Sequence, residues 1–196
     1  MFKQTCKYAF KLWGWRYIDS IPKDLKKYVV IAAPHTSNWD FCLAMVFLSY
    51  SRVKGKFAIK KEWLRFPFKT FFTSLGAFGI DRDKSAESKG LKITDRLANI
   101  LIEADEFVMV VAPEGTRKRN DKWKTGFYYT ALKANVPIVL AYVDTINKTM
   151  GTGLIIYPEN YESDMVKIMD FYRDKSGINP DQFALDKRFS AESSIE

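Results

Sequence analysis

His35, the chain's only histidine, stands in the stretch APHTSNWDF with Asp40 five residues on, between an apolar run from Tyr28 to Ala32 and another from Phe41 to Leu48. Imidazole titrates near neutral pH and can take a proton from a hydroxyl, and a carboxylate within reach fixes its tautomer and stabilises its charged form. Asp40 falls in the first turn of the second apolar element, and that turn can fold its side chain back toward His35. The pair offers a general base and its orienting partner without a nucleophile. Thr36 and Ser37 are close by, yet neither has the G-x-S-x-G setting of a nucleophile elbow. A histidine taken alone is more often a hydrogen-bonded structural residue, so the flanking sequence must carry the argument.

A second cluster, Glu114-Gly115-Thr116-Arg117, follows the apolar run FVMVVA through Pro113. Glycine lets backbone N–H groups approach an anion, threonine offers a hydroxyl, and arginine grips phosphate through two parallel hydrogen bonds. Without a ligand the same residues make a capped turn with surface charge, and Lys118 and Arg119 extend it as a solvated charge run. Lys60 follows the run KFAI, and Asp81 and Arg82 follow AFGI. In open α/β sheets the loops after the strands converge on one crevice, so four strand ends that deliver polar groups are more informative than any one of them.

The elements that would position these groups follow from apolar periodicity. Strands are predicted over Tyr28 to Ala33, Lys56 to Ile59, Ala77 to Ile80, Phe107 to Ala112 and Pro137 to Val143, with Gly153 to Tyr157 as a further candidate. Helices are predicted over Trp39 to Ser51, Phe66 to Leu75, Ser88 to Ala104, Gly126 to Asn135 and Ser163 to Lys175. Strands separated by helices predict an α/β sandwich, a mixed and mostly parallel sheet flanked by helices. Ahead of it, Phe2, Cys6, Ala9, Phe10, Trp13 and Tyr17 share one face of a helical wheel, with Lys3, Lys7 and Lys11 beside it. This predicts an N-terminal amphipathic helix within residues 1–20. It would either pack on the domain or lie on an anionic bilayer, with Trp13, Trp15 and Tyr17 at headgroup depth. One domain is expected over 21–178, and the polar segment 179–196, ending SAESSIE, is expected to be a loose tail.

Composition bounds the partners. The excess of 31 Lys+Arg over 23 Asp+Glu, +8 in all, favours anionic ones: nucleic acid, acidic lipid or a phosphorylated small molecule. No helix-turn-helix, zinc-finger or base-stacking motif supports nucleic acid. Cys6 and Cys42 suggest neither a disulfide framework nor a zinc site. No uninterrupted apolar run reaches a spanning length, and Lys7 and Lys11 interrupt any signal-peptide centre, so a cytoplasmic or peripheral protein is expected.

Taken together, the motifs carry a resemblance. PHTSNWD is similar to the H-x-x-x-x-D motif of the glycerophospholipid acyltransferase superfamily, and PEGTR to its second signature. Between them, KKEWLRFPFKTFFTSLGAFGIDR resembles the family's intervening block, and Val136-Pro137-Ile138-Val139 its apolar fourth block. The likeness covers roughly Tyr28 to Asp144. It departs at Pro34, where many members have asparagine, and at Ala112, where phenylalanine is common. The resemblance implies transfer of a fatty acyl group from a thioester, acyl-CoA or acyl-carrier protein acting as co-substrate, to a hydroxyl of lysophosphatidic acid or a related glycerolipid. By the same resemblance His35 would be the general base and Asp40 its support. Glu114, Gly115, Thr116 and Arg117 would form the acceptor site, with Arg117 on a phosphate and Lys60 and Arg82 as further anion contacts. A backbone N–H or Lys60 would meet the oxyanion, and no metal or cofactor is implied. The implied setting is the inner face of the cytoplasmic membrane, with the anionic lipid surface as partner and no nucleic acid. The rival readings are the same chemistry on an aminolipid or glycolipid, or a basic lipid-binding module without catalysis.

Overall fold

The computed structural model describes residues 8, 10–40, 43, 46–47, 56–60, 73, 77–80 and 93–190, the strands at 56–60 and 77–80 by their backbone alone. Runs rich in Val, Ile and aromatic residues form β1 (Arg16–Ile18), β2 (Lys27–Ala33), β3 (Lys56–Lys60), β4 (Ala77–Ile80), β5 (Phe107–Val111), β6 (Ile138–Asp144) and β7 (Thr149–Ile156). Amphipathic stretches between and after them form α1 (Ile93–Glu103), α2 (Gly126–Ala134) and α3 (Tyr161–Tyr172). Among the described residues the strands make a seven-stranded sheet in the order β1-β7-β6-β2-β5-β3-β4. All neighbours run parallel except β6 and β7. The carboxyl ends of β2 to β6 therefore lie along one edge of the sheet, and β7 and β1 begin on that same edge.

Side-chain alternation divides the core. Val29, Ile31 and Ala33 of β2 face one side, with Met109, Ile138 and Leu140, and bury Leu101 of α1, Phe127, Tyr128 and Ala131 of α2, and Met165, Ile168, Met169 and Tyr172 of α3. Tyr28 and Val30 face the other side, with Val108, Val139 and Ala141, and bury Phe10, Val46 and Phe47. Both faces of β2 are covered, as a central parallel strand requires, and the expected α/β sandwich with a mostly parallel mixed sheet is the fold observed.

Ends agree with local chemistry. α2 stops at Asn135, whose φ of 51° is left-handed and whose N–H closes the last turn. α3 starts at Asn160, whose side chain accepts from the Ser163 N–H at 3.0 Å. The last helix thus begins slightly before, and ends before, the Ser163–Lys175 span predicted from periodicity. The helix expected over Phe66 to Leu75 lies outside the described residues apart from Thr73, which is helical.

The N-terminal segment differs from the expectation. The helical residues end at Leu12, because Gly14, with φ of 78°, closes the helix: its N–H donates to Lys11 O, and the Trp15 N–H to Phe10 O. This pairing is a Schellman stop, and its apolar contact is present as Phe10 against Trp15, 5.0 Å between ring centroids. The chain then leaves as β1 and pairs in parallel with β7, so Tyr17 lies on a strand and not on the predicted helical face. Phe10 and Trp13, placed on one face by the helical wheel, part company: Phe10 is 4% exposed and Trp13 is 73% exposed.

The polar segment after residue 178 is a second correction. From 179 to 190 it is packed rather than loose, with Ala184, Asp186 and Ser190 buried and Phe183, Leu185 and Phe189 against the main core. Trp123 Nε1 donates to Ala184 O at 2.9 Å, and the buried Asp186 carboxylate accepts from the Trp123 N–H and from Arg188. The apolar residues sit among charges at a spacing that fits neither helix nor strand period, which is why composition alone reads as a tail.

Candidate active site

His35 lies just past the carboxyl end of β2, in the turn that leads into the helix beginning at Asp40. The peptide bond between Ala33 and Pro34 is cis. The Asp40 side chain folds back over this turn. One oxygen, Oδ2, accepts from the Thr36 N–H at 2.7 Å and the Ser37 N–H at 2.9 Å, and lies 3.1 Å from His35 Nδ1. The three donors fix the carboxylate, and the carboxylate fixes the tautomer: Nδ1 carries the proton and Nε2 keeps a lone pair. The His35 side chain is 35% exposed and that of Asp40 11%, so the ring reaches solvent while its partner stays covered.

Glu114 joins the β5 loop to this turn. Its Oε2 accepts from the His35 backbone N–H at 2.8 Å, and the residue is 3% exposed. Burial pushes its carboxyl up to about 8, and the Asp40 charge pushes the same way, while the hydrogen bond from His35 opposes them. This shift favours the neutral acid toward neutral pH. In that form the carbonyl-type oxygen still accepts from His35, and the cluster carries one negative charge, on Asp40, instead of two.

The rest of the β5 loop is held from inside. Gly115 has φ of 71°, a conformation that favours glycine, and its N–H donates to Ala112 O. Lys124 N donates to Pro113 O at 2.7 Å, and Asn120 Nδ2 to Glu114 O at 2.8 Å. Gly115, Thr116 and Arg117 are exposed at the tip, with Thr116 Oγ1 accepting from the Lys118 N–H. Arg119, read from sequence as part of a solvated run, is engaged instead: its Nη1 donates to Asp181 O and Phe183 O. Lys60 ends β3, on the same sheet edge, by backbone position only, and Arg82 lies outside the described residues.

The structure thus brings His35, Asp40 and Glu114 into one hydrogen-bonded group, with Gly115, Thr116 and Arg117 adjoining it on the β5 loop. Sequence reasoning missed Thr36, Asn120 and Asn179 as supports. Asn179 donates through Nδ2 to Thr36 O at 2.9 Å and through its N–H to Thr36 Oγ1 at 3.1 Å. No local pattern marks that contact, since the two residues are far apart in the chain. Backbone N–H groups of His35, Thr36 and Ser37 are all committed, to Glu114 or Asp40, so the oxyanion contact has to come from elsewhere.

The arrangement sets an imidazole that can take a hydroxyl proton beside an exposed turn carrying the Thr116 hydroxyl and the Arg117 guanidinium. A family model described as Acyltransferase matches residues 16–144, which takes in β1 to β6 and both loops of the site. No curated protein matches the chain.

Proposed function

The chain belongs to the acyltransferase family, and we propose that it moves a fatty acyl group from an acyl thioester, acyl-CoA or acyl-carrier protein, to a hydroxyl of lysophosphatidic acid or a related glycerolipid. The observation that carries this reading is the Asp40-anchored imidazole, with Nε2 opposite the anchored nitrogen. Nε2 takes the hydroxyl proton as the oxygen attacks the thioester carbonyl. The tetrahedral oxyanion collapses, the C–S bond breaks, and the imidazolium returns the proton to the leaving sulfur. Asp40 stabilises the imidazolium between these steps without itself taking a proton. Arg117, exposed at the tip of the β5 loop, is the residue assigned to the acceptor's phosphate, with Lys60 and Arg82 as further anion contacts.

The reading is tested by incubating the purified protein with acyl-CoA or acyl-carrier protein and a panel of lysophospholipid, aminolipid and glycolipid acceptors, with products identified by mass spectrometry. A product from lysophosphatidic acid is expected, and acylation only of acceptors without phosphate would overturn the assignment. Arg117→Lys keeps the charge but loses the guanidinium fork, so turnover on the phosphate acceptor should fall roughly tenfold with the donor's KM little changed. An equal loss toward a neutral acceptor would make this arginine structural.

We also propose a peripheral position at an anionic membrane, the inner face of the cytoplasmic membrane. No helix among the described residues is long and apolar enough to cross one. Leu12, Trp13, Trp39 and Ile146 are all strongly exposed. Topology sets them on the edge that holds His35: before β1, after β2, and in the turn from β6 to β7. At about 4.8 Å per strand, β1 and β2 on that edge are on the order of 15 Å apart. Lys11, Arg16 and Lys148 are exposed beside the row, and Lys148 Nζ meets Trp13 O. Aromatic and aliphatic tips flanked by cations suit an anionic lipid surface and would hold the site against its acceptor. Removing residues 1–18 is no test, because it takes away Phe10 from the core and all of β1. Trp13→Ser with Ile146→Ser should instead lower sedimentation with phosphatidylglycerol vesicles at least tenfold, with the melting temperature preserved. Unchanged sedimentation would remove this surface from the proposal.

A further inference from the structure

Thr36 stands at a junction. Its N–H donates to Asp40 Oδ2, the oxygen that holds the His35 ring. Its carbonyl and hydroxyl oxygens both accept from Asn179. The residue is 3% exposed. Gly177, two residues before Asn179, lies so close that a Cβ there would stand 2.7 Å from Thr36 Oγ1 and 2.9 Å from Pro34 Cβ. The backbone of the segment from Ser176 to Asn179 is therefore pressed against the turn that carries the imidazole.

That segment is itself anchored at both ends. Before it, α3 is pinned by Tyr172, whose buried hydroxyl lies 2.9 Å from the carbonyl oxygens of Ile31 and Ala141, on β2 and β6. Thr145, just past β6, donates through its N–H to Ser176 O at 2.8 Å and through its hydroxyl to Gly177 O at 2.9 Å. Beyond Asn179, a 3-10 turn over Pro180–Gln182 is gripped by Arg119, from the loop that carries Glu114. One strap thus touches both loops of the site. It comes from outside residues 16–144.

We propose that Thr36 is a positioning residue, gripped by the strap from Ser176 to Asn179, and that it holds the His35–Asp40 pair in its reacting geometry. The inference rests on the reading of that pair as the proton-transferring group. Such a pair works only if its side chains stay within about 0.5 Å of the productive arrangement, and a loop achieves that only when its neighbours lock it. The Asp40 carboxylate receives two of its donors from Thr36, which the strap grips, and from Ser37 next to it. Loosening Thr36 frees the carboxylate and, with it, the ring.

Thr36→Val keeps the shape but removes the hydroxyl oxygen that accepts from the Asn179 N–H, leaving the carbonyl bond alone, while Thr36→Ser keeps that oxygen. In the full chain, Thr36→Val should lower kcat for acyl transfer at least tenfold, with both KM values within twofold, and Thr36→Ser should stay within threefold of the wild type. Because the chain has one histidine, its ring-proton NMR resonances report the same event without activity: single in the wild type and the serine variant, broadened or split in the valine variant. A Thr36→Val enzyme within twofold in kcat would overturn the proposal. So would a raised KM at unchanged kcat, which would place Thr36 on substrate, or a serine variant as damaged as the valine one. Should Thr36→Val fail to fold, Asn179→Ala, at an exposed position, carries the same expectations. Activity surviving in His35→Ala would defeat the reading of the pair instead, and the imidazole resonances would then decide the positioning role alone.

Discussion

Replacing His35 with alanine is expected to abolish measurable acyl transfer, a loss on the order of a hundred- to ten-thousand-fold, while the protein stays folded. Both halves of that expectation come from the site. No other imidazole exists in the chain to take the proton. The ring is partly exposed, so its removal leaves no sealed cavity, and Asp40 keeps the Thr36 and Ser37 N–H groups that shape the turn. The Glu114 contact is to the backbone of residue 35 and survives any side chain there. If the imidazole acts only in the transition state, kcat and kcat/KM should fall together and KM should hold. Turnover within about tenfold of wild type, with circular dichroism and melting temperature unchanged, would exclude His35 as the base.

The parts of this molecule that sequence made legible are those in which local pattern and tertiary environment agree. β2 and β5 read as unbroken apolar runs because both of their faces are covered, and Asn135 reads as a helix end because a left-handed residue is needed there. The H-x-x-x-x-D spacing is likewise local: it brings a carboxylate back over the turn just before its own helix. What escaped depends on partners distant in the chain. β1 is three residues long and exists through its pairing with β7, so no apolar run announces it. Gly14 decides that the first helix stops before Trp13 can follow Phe10 inward, an effect no average over a helical wheel contains. The segment from 179 to 190 is the largest case, since Phe183, Leu185 and Phe189 reach the core where Trp123 and Arg119 bind the backbone at Phe183 and Ala184. Glu114 was legible as a member of a motif, yet its burial and its bond to the His35 N–H were not.

That burial leads to the second large effect expected here, on stability as a function of pH. In the folded protein the Glu114 carboxyl is raised from its ordinary 4.5 to about 8. Between those values the native state holds a proton that the unfolded chain has released, so stability must fall as pH rises through this window and level off above it. At 1.36 kcal/mol per pH unit the full interval amounts to, at most, on the order of 5 kcal/mol. Glu114→Gln isolates this contribution. Glutamine mimics the protonated acid: its carbonyl oxygen can still accept from the His35 N–H, and it does not titrate. Urea unfolding at pH 5, 7 and 9 should show the wild type losing stability relative to the glutamine variant as pH rises, with the larger part of the change between pH 5 and 7. Activity at pH 7 should stay within about threefold, because the raised carboxyl favours the neutral acid that glutamine mimics. A wild-type stability that runs parallel to that of the variant from pH 5 to 9 would mean that Glu114 ionises normally. A hundredfold loss of transfer in the variant at pH 7 would mean that the carboxylate, and not the acid, serves the site.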